Sequence, residues 1–122
     1  MLTVDAIDLK YGAAQVLRGI SLDAELGKVT CVLGRNGVGK TTTMRSIIGL
    51  TPPNAGSVVF EGHDITGMST HRVAQRGLGF FPEERRIFPD LTVWENLDIA
   101  RRSPPSGKGW SEDEVFDLFP DL

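Results

Sequence analysis

The segment Gly34-Arg35-Asn36-Gly37-Val38-Gly39-Lys40-Thr41 limits most what this chain can fold into. It fits the pattern G-x-x-x-x-G-K-[ST] without deviation. Glycines at that spacing let the backbone close into a concave loop whose N–H groups converge on an anion. Such a loop needs a strand leading in and a helix leading out. The flanking residues predict both. Val29-Thr30-Cys31-Val32-Leu33 is β-branched and almost wholly apolar, the composition of a strand buried on both faces of a parallel sheet. That reading makes Cys31 a small buried hydrophobe. After the loop, Met44, Ile47 and Ile48 recur at i, i+3 and i+4, which predicts an amphipathic helix over 40–50. Gly49 and Pro52-Pro53 stop it.

The chemistry of the loop follows from its residue types. Gly34, Gly37 and Gly39 let the chain approach phosphate oxygens closely, and the helix beginning near Lys40 adds the positive end of its dipole. The Lys40 ammonium is placed to reach β- and γ-phosphates. The Thr41 hydroxyl is a ligand for Mg²⁺, and Thr42 adds a second hydroxyl at the rim.

Leu2, Val4, Ile7 and Leu9 predict a first strand with imperfect alternation, ended by the Tyr11-Gly12 turn. Residues 16–22 predict a second strand whose period of two runs on through Ala24 and Leu26, with a reversal at Glu25-Leu26-Gly27-Lys28. Ser57-Val58-Val59-Phe60 predicts a strand and Glu61-Gly62-His63-Asp64 a turn. Residues 69–76 predict a short helix with Gly77 as its C-terminal cap. Leu78-Gly79-Phe80-Phe81 predicts another short strand. Thr92-Val93-Trp94-Glu95 and Ser111-Glu112-Asp113-Glu114 are capping boxes that open two further helices, and residues 103–109, rich in Ser, Pro and Gly, join them.

Composition excludes several classes. The chain has 122 residues, 40% hydrophobic and 24% charged, and carries a net charge of −3. This is the profile of a globular domain rather than a disordered tail. The charge argues against nucleic-acid binding. With one cysteine, no intrachain disulfide or cysteine-built metal site is possible, and His63 and His71 lack ligand spacing and read as surface residues. No apolar run is long enough to cross a bilayer, and the N-terminus carries no leader pattern.

The loop with its neighbours, Gly34-Arg35-Asn36-Gly37-Val38-Gly39-Lys40-Thr41-Thr42, resembles the Walker A loop of ABC-transporter ATPase subunits, usually G-x-N-G-A-G-K-[ST]-T. Tyr11-Gly12 lies where that family places an aromatic residue stacked on adenine; taken alone, Tyr11 is an ordinary aromatic. Pro53-Asn54-Ala55-Gly56-Ser57-Val58 and Gly62-His63-Asp64-Ile65-Thr66 resemble the stretch that follows the Walker helix. Residues 79–97 resemble the segment around the Q-loop, in wording most similar to branched-chain amino acid and urea importers. The resemblance implies an α/β P-loop NTPase fold with an N-terminal antiparallel β segment. Residues 1–91 would be a nucleotide-binding core and residues 92–122 the start of a helical subdomain. It implies ATP and Mg²⁺ as ligands, and Tyr11, Gly34, Asn36, Gly37, Gly39, Lys40, Thr41 and Thr42 as their contacts.

It further implies transmembrane permease subunits and a second ATPase subunit as partners, and a place on the cytoplasmic face of a membrane. Ile87, Phe88, Leu91, Val93 and Trp94 would form the groove that receives a permease helix, or else ordinary core. Glu83 stands where the family usually has Gln, a position that faces Mg²⁺ and the attacking water. The family's signature motif, Walker B aspartate, catalytic glutamate and switch histidine do not occur in the chain. The resemblance is therefore to the N-terminal half of such a subunit, and the chain by itself is expected not to hydrolyse ATP. Two readings stay open beside it: a P-loop protein unconnected with transport, and a nucleotide-binding module without enzyme activity.

Overall fold

The computed structural model describes residues 1–84, 87–101 and 109–121. It divides into two compact units, Met1–Phe80 and Phe81–Leu122.

The first unit is built on a four-stranded sheet in the order β2-β1-β3-β4, antiparallel throughout. The strands are β1 (Leu2–Tyr11), β2 (Ala14–Ala24), β3 (Ala55–Phe60) and β4 (His63–Asp64). Helix α1 (Lys40–Ile47) and helix α2 (Thr70–Gln75) complete it. The core gathers Val4, Ile7, Leu9, Leu17 and Val58 from the sheet, Ile47 from α1, Val73 from α2 and Ile65 from the connection between β4 and α2.

The imperfect alternation of β1 has a local cause. Val4 faces Leu22 and Ile7 faces Ile20, so β1 spends three residues where β2 spends two. The same excess appears on the other side, where Asp5 pairs with Ser57 and Asp8 with Ala55. Ala6 is the extra residue, with φ +45°, and its N–H donates to Ser21 Oγ at 2.8 Å. This bulge returns Ile7 and Leu9 to the face that Val4 occupies. Further along, β2 carries its own irregularity near Gly19, whose N–H donates to Asp8 Oδ1 at 3.0 Å. The β3–β4 hairpin turns through Glu61 and Gly62, both at positive φ, as a two-residue turn of that twist requires.

Three expectations are corrected. Residues 29–33 form no strand, and Cys31 is exposed rather than buried. A strand needs a neighbour to take its N–H and C=O groups, and among the described residues none lies beside this segment. Residues 78–81 likewise form no strand, although Leu78 packs on the core. The helix over 40–50 is shorter than its apolar pattern and ends at Ile47, where Gly49 at φ +77° turns the chain away. His63 and His71 are exposed, as expected.

The second unit holds helix α3 (Val93–Ala100) and helix α4 (Glu112–Leu118). Both capping boxes form. Thr92 Oγ1 accepts from Glu95 N at 3.2 Å while Glu95 Oε2 accepts from Thr92 N at 2.8 Å. Ser111 Oγ accepts from Glu114 N at 3.2 Å while Glu114 Oε2 accepts from Ser111 N at 2.7 Å. The two helices are tied by Arg101, whose guanidinium lies 2.7 Å from Glu112 Oε1 and 3.5 Å from Asp98 Oδ1, and by Trp94 Nε1, which donates to Glu112 Oε2 at 3.2 Å. Of the predicted connection at 103–109, residues 103–108 lie outside the described residues.

Two outcomes are expected. A Cβ on Gly56, at φ +85°, would run into the Ala6 and Asp5 carbonyl oxygens. Gly56→Ala should cost about 2–4 kcal/mol in urea unfolding, against about 1–2 kcal/mol for Gly62→Ala, where the space is open. In the capping boxes, hydrogen bonds from the backbone N–H and hydroxyl of Thr92 and of Ser111 hold the Glu95 and Glu114 carboxyls below the ordinary glutamate value of 4.5. A depressed carboxyl stabilises the fold fully above its unfolded value and loses that contribution as pH falls through its folded value. Carboxyl-carbon NMR should show both residues titrating below 4.5, with Thr92→Ala and Ser111→Ala raising each only part of the way, because the backbone N–H that contributes most is kept.

Candidate functional site

The loop at 34–39 hangs between β2 and α1. Its exit is fixed by Gly39, which takes φ +102° and serves as the cap residue of α1. A Cβ there would lie 2.7 Å from Leu17 Cδ2 and 3.4 Å from the Val16 carbonyl oxygen. Leu17 is only 1% exposed and has no room to yield. Glycine thus allows both the left-handed turn and the seating of the loop on β2. Gly37 also takes a positive φ, +82°, in open space. The Gly39 carbonyl accepts from Thr43 N at 2.8 Å and from Thr43 Oγ1 at 3.0 Å, which fastens the first turn of the helix.

That first turn is arranged for an anion. No side chain caps α1, and its first turn contains no acidic residue. The leading N–H groups have no acceptor within the helix, and the positive end of the dipole has no carboxylate to offset it. The Lys40 ammonium folds back over the loop and donates to the Gly34 carbonyl at 2.7 Å and the Arg35 carbonyl at 2.8 Å. A cation is thereby held against the loop's own carbonyls at the start of the helix. Thr41 is exposed and Thr42 half-buried on the same turn, and Asn36 lies exposed in the loop. The donor set fits the terminal phosphates of a nucleotide, with the backbone amides and Lys40 on the oxygens and Thr41 as a hydroxyl ligand for Mg²⁺. Among the described residues no cluster of three His, Cys, Asp or Glu side chains could hold a metal by itself. A magnesium ion here would take its remaining ligands from the nucleotide and from water, as that ion commonly does.

The other candidates stand apart. Tyr11 ends β1 with half its surface exposed, and its hydroxyl reaches Thr51 Oγ1 at 3.5 Å. Beside it, Lys10 N donates to Asn54 Oδ1 at 2.6 Å, so the end of β1 is tied to the chain between α1 and β3. Glu83 is exposed and belongs to the second unit, whereas Lys40 and Tyr11 belong to the first. A cleft of ≈ 350 Å³ between α3 and α4, lined by Trp94, Leu97, Arg101, Trp110 and Val115, contains none of the residues expected to contact nucleotide, and of those expected in a permease groove only Trp94. Sequence reasoning passed over Asn96. Its Oδ1 accepts from Phe88 N at 2.9 Å, and its Nδ2 donates to the carbonyls of Phe88, Leu91 and Thr92 at 3.1, 3.3 and 3.0 Å. The signal was an asparagine directly after a capping-box glutamate.

A glycine loop closed by a lysine at the start of an uncapped helix is an arrangement suited to phosphate oxygens. The ABC transporter family model matches residues 17–120, and the chain belongs to that family. The lipopolysaccharide export system ATP-binding protein LptB of Haemophilus influenzae is 35% identical over 98% of this chain and 51% of its own length. The high-affinity branched-chain amino acid transport ATP-binding protein BraG of Pseudomonas aeruginosa is 31% identical over 100% of this chain and 53% of its own. A solved ATP-binding subunit of an ABC transporter superposes with a TM-score of 0.72 at 28% identity, covering 99% of this chain and 48% of that one. The chain thus has the ABC-type nucleotide-binding fold and spans about half the length of these relatives. Because the relatives' names divide between export and import, the likeness to branched-chain amino acid importers is not singled out.

Gly39→Ala is expected to lower affinity for magnesium triphosphate at least about tenfold, since a loop displacement worth 1.4 kcal/mol suffices for that. Calorimetry on the variant and the parent chain checks it.

Proposed function

We propose that this chain supplies the phosphate-binding part of the MgATP site of an ABC transporter ATPase subunit, in which ATP hydrolysis drives transport. The observation that carries the reading is the Lys40 ammonium held over the glycine loop at the uncapped start of α1. In phosphoryl transfer to water, catalysis is mostly positioning and charge stabilisation. Gly34, Gly37 and Gly39 shape the cradle, and Asn36 and Thr42 line its rim. Lys40 offsets charge on the terminal phosphates. Thr41 ligates Mg²⁺, which when bound neutralises charge on the phosphate oxygens. Tyr11 stacks on the adenine. Glu83 is the carboxylate we assign to the metal and attacking water. The chain carries no Asp-Glu pair after an apolar strand, so by itself it binds nucleotide without appreciable turnover.

Permease subunits and a second ATPase subunit are the partners of this reading, at the cytoplasmic face of a membrane. Among the described residues no helix is long and apolar enough to cross a bilayer. Exposed Ile87, Phe88, Val93 and Trp94 support a permease contact. Uptake of an amino acid or urea is the finer reading supported by the wording of residues 79–97 and by BraG; the similarity to LptB weighs against it equally.

The test compares MgATP with magnesium triphosphate by calorimetry. Lys40→Ala should lose roughly 10- to 150-fold for both ligands, the worth of a charge-assisted contact. Tyr11→Ala should weaken ATP alone. Unchanged affinity in Lys40→Ala overturns the phosphate assignment, and equal losses of both ligands in Tyr11→Ala overturn the stacking role.

A further inference from the structure

Strand β1 outlasts its neighbour β3. Their last facing pair is Asp8 with Ala55, whereas β1 runs on to Tyr11. Backbone groups alternate between the two edges of a strand, so Lys10 is the next residue to present its N–H on the β3 side. β3 begins at Ala55, and the side chain of the residue before it takes over: Asn54 Oδ1 accepts from Lys10 N at 2.6 Å. The N–H of Asn54 donates to the Asp8 carbonyl at 2.8 Å. Asn54 thus grips β1 at two points, on either side of Leu9 and directly before Tyr11.

Asn54 is itself held. Pro52-Pro53 precede it, and each fixes its own φ and restricts the residue before it. Ahead of them, Leu50 N and Thr51 N both donate to the Arg45 carbonyl, at 2.9 and 3.2 Å. Arg45 belongs to α1, the helix whose first turn carries Lys40. Residues 51–54 are therefore a stiff bracket between α1 and the end of β1. The bracket meets Tyr11 a second time, where the phenol hydroxyl comes within 3.5 Å of Thr51 Oγ1. A base stacks on the face of a ring, so a contact at the hydroxyl does not compete with it.

We propose that Asn54 is a positioning residue: by fixing the backbone directly before Tyr11, it holds that ring where the base of a bound nucleotide stacks. The inference rests on the stacking role given to Tyr11 above and names the residue through which the fold enforces it. Helix α1 is then the common reference for both ends of the ligand. Its first turn serves the phosphates, and its exit, through residues 51–54, serves the base. Without the Asn54 bond the end of β1 samples other positions. Affinity for a nucleotide then falls with the fraction of time the ring is in place, while affinity for phosphate alone does not.

The test uses the purified 122-residue chain and calorimetry with MgATP and magnesium triphosphate. Asn54→Ala should lower affinity for MgATP by about 2- to 12-fold, the net worth of one hydrogen bond, and leave magnesium triphosphate unchanged. The Lys10–Asn54 bond is exposed, so water replaces the lost acceptor and the variant folds. Asn54→Asp keeps an oxygen at the acceptor position and should restore the parent's ratio of the two affinities. In a Tyr11→Ala background, Asn54→Ala should change neither affinity, because one residue acts through the other. The ring gives an independent reading, since Tyr11 is the one tyrosine. With isotope-labelled tyrosine, its NMR ring signal should move on adding MgATP, and should move less at saturation in Asn54→Ala. Unchanged MgATP affinity in Asn54→Ala, equal losses of both ligands, loss of the fold, an effect that persists without Tyr11, an unaltered ring shift, or no restoration by Asn54→Asp would each overturn the proposal and leave the stacking role of Tyr11 standing. Unchanged MgATP affinity in Tyr11→Ala, or a parent chain that binds neither ligand, would overturn the reading beneath it and this proposal together.

Discussion

The packing of Gly39 on Leu17 is the contact on which the rest depends. The glycine must reverse the chain at positive φ and also lie against a core side chain that cannot move. Only the residue without a Cβ meets both demands. Once it is seated, α1 begins with its amides facing the loop, and Lys40 folds back to the carbonyls of Gly34 and Arg35. The hydrophobic core therefore sets the direction in which the anion-binding groups point. Ile47 in the last turn of α1 joins the same cluster as Leu17, so the helix is gripped at both ends by one set of apolar contacts.

The parts legible in the sequence were those governed by local chemistry. The glycine loop, both capping boxes and the Gly77 cap each depend on residues within a few positions of one another, and each formed; of the turn expected over residues 61–64, Glu61-Gly62 turns, while His63–Asp64 is strand β4. The fold class was legible through the loop motif and the family resemblance it opened. What failed depends on neighbours distant in sequence. Residues 29–33 have the composition of a buried strand, but composition supplies no hydrogen-bond partner, and Cys31 is exposed as a result. The uneven spacing of Val4, Ile7 and Leu9 was visible, whereas its cause, an inserted Ala6 opposite Gly56, belongs to strand pairing and cannot be read along one strand.

The candidate site was legible unevenly for the same reason. Gly34 to Thr42 are consecutive, so one motif placed them all. Tyr11 and Glu83 lie far from the loop in sequence, and spacing along the chain does not give the tertiary arrangement on which a role beside the loop depends. Asn96 escaped notice because its role is in the loop before its helix, where one amide group satisfies four backbone groups between Phe88 and Thr92.

The bulge at Ala6 also bears on how this sheet can change over evolutionary time. The inserted residue pushes two carbonyl oxygens toward β3 at the one place where β3 has no side chain. Deleting a residue from β1 would restore simple alternation and open the space above position 56. Placing a side chain at position 56 while the insertion remains would force the strands apart. The two positions therefore form a ratchet: the deletion must come before the substitution, and once a side chain is in place the bulge cannot return.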